Sequence, residues 1–180
     1  MKISVKAFIT AKSEYDSITK CMDSFCLDPY KGIFAVSDGV SGSLMAKLWA
    51  PLLTKTYVKN ASYFFEKDDS GNIALNPRMN LPSQFNKELE NYMESLDDDK
   101  RERIQGQIER FAATGGSRGT FIGLQIVGNY AKLETIGDSI TYTYFDDEIK
   151  HCTSMEENGE IQFTQTPQCI ASNGKIYGSG

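Results

Sequence analysis

The chain has 180 residues, a net charge of −5 and 40% hydrophobic residues, which is the composition of one folded domain with its own core. It has no block of lysines and arginines, so neither nucleic acid nor an anionic membrane is expected as a partner. Its apolar runs are shorter than the ~20 residues of a membrane span, and no signal-peptide pattern is present, so we expect a cytoplasmic protein.

The first predicted elements are strands. Residues 2–10, KISVKAFIT, alternate between apolar and polar side chains, which is typical of a half-buried strand. Residues 22–38 predict a β-hairpin, because a short mixed segment and an apolar run flank an Asp-Pro-Tyr-Lys-Gly turn sequence. The second strand of this hairpin is expected to end at Asp38.

A helix is predicted to follow the hairpin. Apolar residues recur at helical spacing from Leu44 to Tyr57, and Ser41 or Ser43 is the candidate N-cap. Pro51 falls inside this pattern and is a candidate kink site.

Two more helices are predicted after a polar connection over residues 66–82. The first covers about residues 83–94 and carries an apolar stripe. The second covers residues 96–113, and we expect it to be exposed because it has few apolar positions among many charges.

The second half of the chain predicts a β-meander over 119–128, 130–138 and 139–147, followed by a polar tail over 151–180 with weak strands at best. Strands and helices are therefore segregated along the sequence, which indicates an α+β fold with antiparallel sheet. The four cysteines form no C-x-x-C pair, so we expect reduced thiols without a joint role.

Acidic residues fall at three predicted strand ends, at Asp23, Asp38 and Asp138. Antiparallel pairing can bring the start of one strand beside the end of the next, so Asp23 and Asp38 can lie close together. Clustered carboxylates repel each other, and a divalent cation such as Mg²⁺ or Mn²⁺ removes that repulsion. Gly39 would let the backbone approach such an ion and offer its carbonyl oxygen.

An ordinary structural role is the alternative for each of these residues. Asp-Gly after a strand is a common turn signal, Asp often caps a helix, and Gly-Asp-Ser between strands is commonly a hairpin turn. Taken alone, the pattern at Asp38 favours a turn or a cap over a metal ligand. An unrelated α+β domain whose acids lie on separate surfaces therefore stays an open alternative.

Four segments together resemble a known family. KCMDSF, GIFAVSDGVSGS, GGSRGTFIGLQI and LETIGDSITYTY are similar, in order and spacing, to the signature segments of the metal-dependent PP2C-type Ser/Thr protein phosphatases. The resemblance covers about residues 1–150. It implies an antiparallel β-sandwich flanked by helices, with a metal centre in a cleft at one end of the sandwich.

The resemblance also implies residue roles. Asp38 resembles the carboxylate that bridges two Mg²⁺ or Mn²⁺ ions, and Gly39 resembles the glycine whose carbonyl binds one of them. Asp23 resembles an acid that acts directly or through water, and Asp138 resembles the acid associated with a third, weaker metal. The implied activity is hydrolysis of phosphoserine or phosphothreonine in a protein substrate by a metal-activated water.

Several positions depart from the family pattern, among them Ile140, which replaces the usual arginine after Gly-Asp-Ser. Where the family often has a phosphate-binding arginine this chain has Ile18, and Lys20 is the candidate substitute, although it lacks the forked guanidinium. The only histidine, His151, matches no family site and is expected at the surface.

The C-terminal segment, residues 151–180, has no counterpart of the later Asp-Gly and Asp-Asn segments that supply further metal-binding acids in the family. We therefore expect residues 1–180 to form a single PP2C-like domain that lacks the C-terminal strands and part of the metal site. The alternative function is a non-catalytic pseudophosphatase or binding module with the same fold.

Overall fold

An antiparallel hairpin opens the described part of the chain. The computed structural model describes residues 21–112, 115–145, 148–152 and 167–178. Strands β1 (Ser24–Asp28) and β2 (Ile33–Ser37) pair antiparallel, so the predicted hairpin is confirmed. In the turn, the Asp28 carboxylate accepts a hydrogen bond from the backbone N–H of Lys31 at 3.1 Å. The strand predicted over 2–10 lies outside the described residues.

Helix α1 (Ala46–Asn60) follows the hairpin, as predicted, and continues through its internal proline. The predicted serine cap is wrong. Met45 occupies the cap position in the left-handed region at φ 47°, and no side chain caps the helix. The Ser43 hydroxyl instead donates to the carbonyl of Val40 at 2.8 Å, and Ser41 is exposed, so the serines belong to the loop that precedes the helix.

The predicted polar connection over 66–82 contains regular structure that the sequence did not indicate. Strands β3 (Phe65–Lys67) and β4 (Ile73–Leu75) form a short antiparallel hairpin. The carboxylate of Asp68 organises its turn by accepting hydrogen bonds from the backbone N–H groups two and four residues later, at 2.9 and 2.8 Å. Side-chain bonds of this kind let a polar segment turn tightly.

Two further helices are confirmed. Helix α2 (Leu81–Glu94) begins two residues earlier than predicted, with a proline in its first turn. Helix α3 (Asp98–Ala112) is mostly exposed, as its charges indicate. Its few apolar side chains, Ile104, Ile108 and Phe111, pack against the core.

The main sheet has four strands. After the short strand β5 (Arg118–Gly119), strands β6 (Phe121–Val127) and β7 (Tyr130–Ile136) form a hairpin around Gly128, which has a φ of 60°. β6 also pairs antiparallel with β2, so the strand order is β1-β2-β6-β7.

The third strand of the predicted meander does not join this sheet. β8 (Tyr142–Phe145) pairs with β9 (Glu148–Cys152) in a separate two-stranded ribbon. Gly137 follows β7 with a φ of 108°, a conformation that ends the ladder and turns the chain away from it. The prediction of a three-stranded meander is therefore wrong. His151 lies in β9, opposite Thr143.

The tail over 151–180, for which the sequence predicted weak strands at best, contains a fully buried strand. β10 (Cys169–Ala171) is buried along its whole length and pairs with both β5 and β11 (Ile176–Tyr177). The indole N–H of Trp49 donates to the carbonyl of Ile170 at 2.8 Å, which ties β10 to helix α1. The weak strand predicted near residue 160 lies outside the described residues.

The core lies between α1 and one face of the main sheet. Trp49, Leu53 and Tyr57 of α1 are fully buried, and the Tyr57 ring packs edge-on against Phe64 and Phe121 at centroid distances of 5.3 and 5.1 Å. The chain is thus a mixed α+β protein with antiparallel sheets, as predicted.

No helix among the described residues is long and apolar enough to cross a bilayer. Three of the cysteines, Cys21, Cys26 and Cys169, are free thiols.

Replacing Gly123 with alanine tests the packing of α1 on the sheet. A Cβ at this position would overlap the buried ring of Tyr57, so we expect the free energy of unfolding to fall by about 1–3 kcal/mol. The control is Gly106→Ala in α3, where a Cβ meets nothing within 4 Å and the better helix former should stabilise by up to about 1 kcal/mol. Urea denaturation followed by the fluorescence of Trp49, the sole tryptophan, measures both variants. A Gly123→Ala variant as stable as the wild type would contradict this packing.

Candidate metal centre

Two of the predicted acids face each other at the open end of the first hairpin. Ser24 pairs with Ser37, and continuing this register by one residue sets Asp23 opposite Asp38. Directly opposite residues of antiparallel strands point to the same face, with Cβ atoms about 4.5–5.5 Å apart. The structure therefore brings together two acids that are separated by the whole hairpin in sequence.

The backbone of Gly39 lies against the segment that carries Asp23. A Cβ at Gly39 would lie 2.6 Å from the carbonyl oxygen of Met22, so only glycine allows the two chains to approach this closely. The register that sets Asp23 opposite Asp38 therefore continues past the ends of both strands.

The backbone of Gly39 is turned, in the plane of the sheet, toward the segment that carries Asp23. The N–H of Val40 donates to Arg118 at 3.0 Å and the N–H of Thr120 donates to Asp38 at 2.9 Å, so the backbone of both flanking residues bonds toward β6. Successive residues of a strand alternate in this respect, so the N–H and carbonyl of Gly39 point away from β6 and toward Met22 and Asp23. We call Asp23, Asp38 and Gly39 the acidic edge.

The two carboxylates have different surroundings. Asp38 is exposed to solvent, whereas Asp23 is half-buried, and its Oδ1 atom is buried without a hydrogen-bond partner in the described part of the chain. A buried carboxylate oxygen without a partner is costly. A hard divalent cation that binds carboxylate and carbonyl oxygens would satisfy it, so the residues of the acidic edge fit Mg²⁺ or Mn²⁺.

The third predicted acid, Asp138, lies at the same end of the sheet but not beside the other two. Gly119 bridges to Gly39 on one side and pairs with Ile170 of β10 on the other, so the β6–β7 ladder does not continue to Asp138. No strand pairing among the described residues therefore sets Asp138 beside Asp23 or Asp38. Within the described residues, no three His, Cys, Asp or Glu side chains gather as a metal-binding group.

The cation that the sequence suggested for phosphate binding, Lys20, lies outside the described residues. The structure adds another cation, Arg118, to which the sequence analysis assigned no role. Arg118 follows the two glycines of the TGGSRG segment, and its backbone carbonyl accepts from Val40, one residue beyond the acidic edge. Its guanidinium lies 5.6 Å from the centroid of the Tyr177 ring. No local pattern indicated this placement, because Val40 and Arg118 are far apart in sequence.

The pKa of Cys169 also indicates where the Arg118 guanidinium lies. Burial raises the pKa of the Cys169 thiol, and the positive charge of Arg118 opposes part of that increase. The guanidinium is therefore near Cys169 and Tyr177, which are paired across β10 and β11.

Comparison of the chain with protein-family models, curated proteins and solved structures found no match. The function is therefore argued from the geometry of the acidic edge and from the sequence motifs that meet there.

The metal-free protein should respond to removal of one charge from the acidic edge. We expect Asp23→Asn to raise the free energy of unfolding by about 0.2–1 kcal/mol in the presence of EDTA, because like charges placed directly opposite each other destabilise a strand pair. Urea denaturation measures the change. Asp69→Asn, in an exposed turn, is the control and should change nothing. Destabilisation by Asp23→Asn would show that the carboxylate has a structural role instead.

Proposed function

We propose that this chain is a metal-dependent phosphoprotein phosphatase of the PP2C type, which hydrolyses phosphoserine or phosphothreonine in protein substrates. The observation that carries the proposal is the β1–β2 register, which sets Asp23 opposite Asp38 when it is continued by one residue, with Gly39 packed closely against Met22. These are the residues to which the sequence resemblance assigns the metal ligands. The resemblance and the sheet register are separate arguments, and both select Asp23, Asp38 and Gly39, whereas Asp138 rests on the resemblance alone.

The residues of the acidic edge have distinct roles in this proposal. The Asp38 carboxylate would hold the metal, Gly39 would offer its carbonyl oxygen, and Asp23 would bind directly or through water. Asp138 serves a third, weaker ion. When bound, Mg²⁺ or Mn²⁺ supplies Lewis acidity, which lowers the pKa of water and neutralises charge on the phosphoryl oxygens.

The exposed side of the main sheet supports the two-sheet sandwich that belongs to this proposal. Phe25 and Val36 project from the face opposite α1 and are 39% and 49% exposed. Phe34 and Ile122, which lie on the same face, are only partly buried. An apolar sheet face of this kind is normally covered by a second layer.

Activity of the full-length protein tests the proposal directly. We expect hydrolysis of p-nitrophenyl phosphate and of a phosphothreonine peptide that depends on Mn²⁺ or Mg²⁺ and is lost with EDTA. Asp38→Asn should lower kcat/KM by at least about a hundredfold, because the bridging charge is removed while the shape is kept.

The matched control for Asp38→Asn is Asp69→Asn, which removes an exposed carboxylate far from the acidic edge in sequence and should retain full activity. Absence of metal-stimulated turnover by the wild-type protein would refute the catalytic proposal. Equal activity of the Asp38→Asn variant and the wild type would refute the assignment of Asp38.

The second candidate function is a non-catalytic pseudophosphatase or binding module. It is supported by the finding that the described residues hold two adjacent acids but no group of three. Calorimetry separates the two candidates. Heat of Mn²⁺ binding that disappears in Asp38→Asn supports the phosphatase, whereas partner binding by a full-length protein that takes up no Mn²⁺ supports the binding module.

A further inference from the structure

We propose that the outer edge of β7 and the β3–β4 hairpin beside it bind an extended peptide segment of another protein, which joins the main sheet as a further strand. β7 is the last strand in the order β1-β2-β6-β7, and no described strand pairs with its outer edge. Such an edge presents N–H and carbonyl groups with which the backbone of a peptide can pair. The inference goes beyond the proposed function, because it requires neither a metal nor turnover.

Two cavities lie between β7 and the β3–β4 hairpin. Their volumes are about 350 Å³ and 570 Å³, and sites that bind ligands commonly enclose about 300–1,000 Å³. Ile73, Thr135 and Ile136 line both cavities, so the two adjoin each other. We call the two cavities together the β7 groove.

The β7 groove follows the edge of the strand and not one of its faces. Glu134 faces α1, because its carboxylate accepts a hydrogen bond from Tyr57. Thr135 is the next residue, so alternation along the strand directs it to the opposite face. Since both cavities touch Thr135 and one also touches Glu134, the groove reaches side chains of both faces and lies at the edge between them.

The walls of the β7 groove are tied to the core. The rings of Phe64 and Phe65 pack against Phe121 of β6, at centroid distances of 5.4 and 5.6 Å, and so fix the start of the hairpin. At the end of β7, a Cβ at Gly137 would lie 2.8 Å from the carbonyl oxygen of Gln168, so the segment that leads into β10 closes the groove there. A groove with fixed walls loses little conformational entropy when it binds a peptide.

The side chains of the groove indicate which peptide fits. Phe65 and Ile73 offer apolar contacts on the hairpin wall, and Ile73 is 54% exposed. On β7, Lys132 and Glu134 are already paired with each other at 2.8 Å. Because side chains of an extended chain alternate between two faces, we expect apolar side chains at alternate positions of the bound segment, directed toward the hairpin.

A single extended chain fits the β7 groove better than a second copy of this protein does. The added strand needs only the ordinary spacing of about 4.8 Å from β7. Pairing of β7 with β7 of a second copy would bring the hairpin of each copy into the space that the other occupies. The geometry therefore favours a peptide segment over self-association.

Fluorescence polarisation of the full-length protein with a labelled octapeptide, in which valine alternates with serine, tests the inference. We expect the wild type to bind this octapeptide. The same octapeptide with methylated backbone nitrogens should bind at least about tenfold more weakly, because methylation removes the strand-pairing donors and keeps the side chains. Wild-type protein that does not bind the octapeptide, or that binds the methylated form equally well, overturns the inference.

Replacing Ile73 with lysine tests the hairpin wall. Ile73→Lys should weaken binding of the octapeptide about tenfold, because peptide binding would desolvate the new charge. Val127→Lys is the matched control, since Val127 is also an apolar strand residue that is 54% exposed, and it does not line the groove. Unchanged affinity in a folded Ile73→Lys variant overturns the inference. If this variant does not fold, hydrogen exchange of the wild type decides.

Hydrogen exchange locates the bound octapeptide. It should slow exchange of the amides of Tyr130–Ile136 and leave Ser24–Asp28, at the opposite edge of the sheet, unchanged. Slowing at β1 without slowing at β7 overturns the inference.

The same measurements identify other occupants of the groove. A free protein that dimerises in sedimentation, with loss of the dimer in Ile73→Lys, would assign the groove to a second copy. Amides of β7 that exchange equally slowly with and without the octapeptide would assign it to a segment of the same chain. Either result overturns the inference. None of these measurements depends on turnover, so the inference and the proposed function can fail separately.

Discussion

The antiparallel register of β2 with its two neighbours is the constraint on which the acidic edge depends. It sets Asp23 opposite Asp38 on one side, and on the other side it sets Arg118 diagonal to Asp38. A slip of one residue in β1 would turn Asp23 toward the core under α1, where burying its charge would cost several kcal/mol. The hydroxyls of Ser24 and Thr54, 3.1 Å apart, fix the same register from the helix side. The arrangement of the acids is therefore maintained because a shifted register of β1 would have a higher free energy.

Helix α1 holds strands on both sides of the acidic edge in place through side-chain hydrogen bonds. The hydroxyl of Tyr57 donates to the Glu134 carboxylate at 2.9 Å, and burial together with that carboxylate raises the pKa of Tyr57, so the hydroxyl stays protonated and keeps its hydrogen bond. This bond connects α1 to β7. Trp49 connects the helix to Ile170 of β10, and β10 in turn pairs with the strand that carries Arg118. The core thus positions the strands of the candidate site as well as stabilising the fold.

The range of an interaction along the chain decides how much the sequence could predict. The hairpin over 22–38 was predictable, because alternation and turn residues act within a few positions, and the closeness of its two terminal acids followed from it. β10 was not predictable, because Ile170 is buried by Trp49, which is 121 positions away in sequence. Arg118 was missed for the same reason, since its neighbour Val40 belongs to a distant segment and nothing local marks the pair.

The two carboxylates of the acidic edge are unfavourable without a bound cation. Asp23 and Asp38 are like charges on opposite positions, and one oxygen of Asp23 is buried without a partner among the described residues. A cation removes that cost, but it leaves a positive field that attracts anions of any shape. In the proposed function, the two carboxylates would bind the cation, and the cation would in turn bind a phosphoryl dianion.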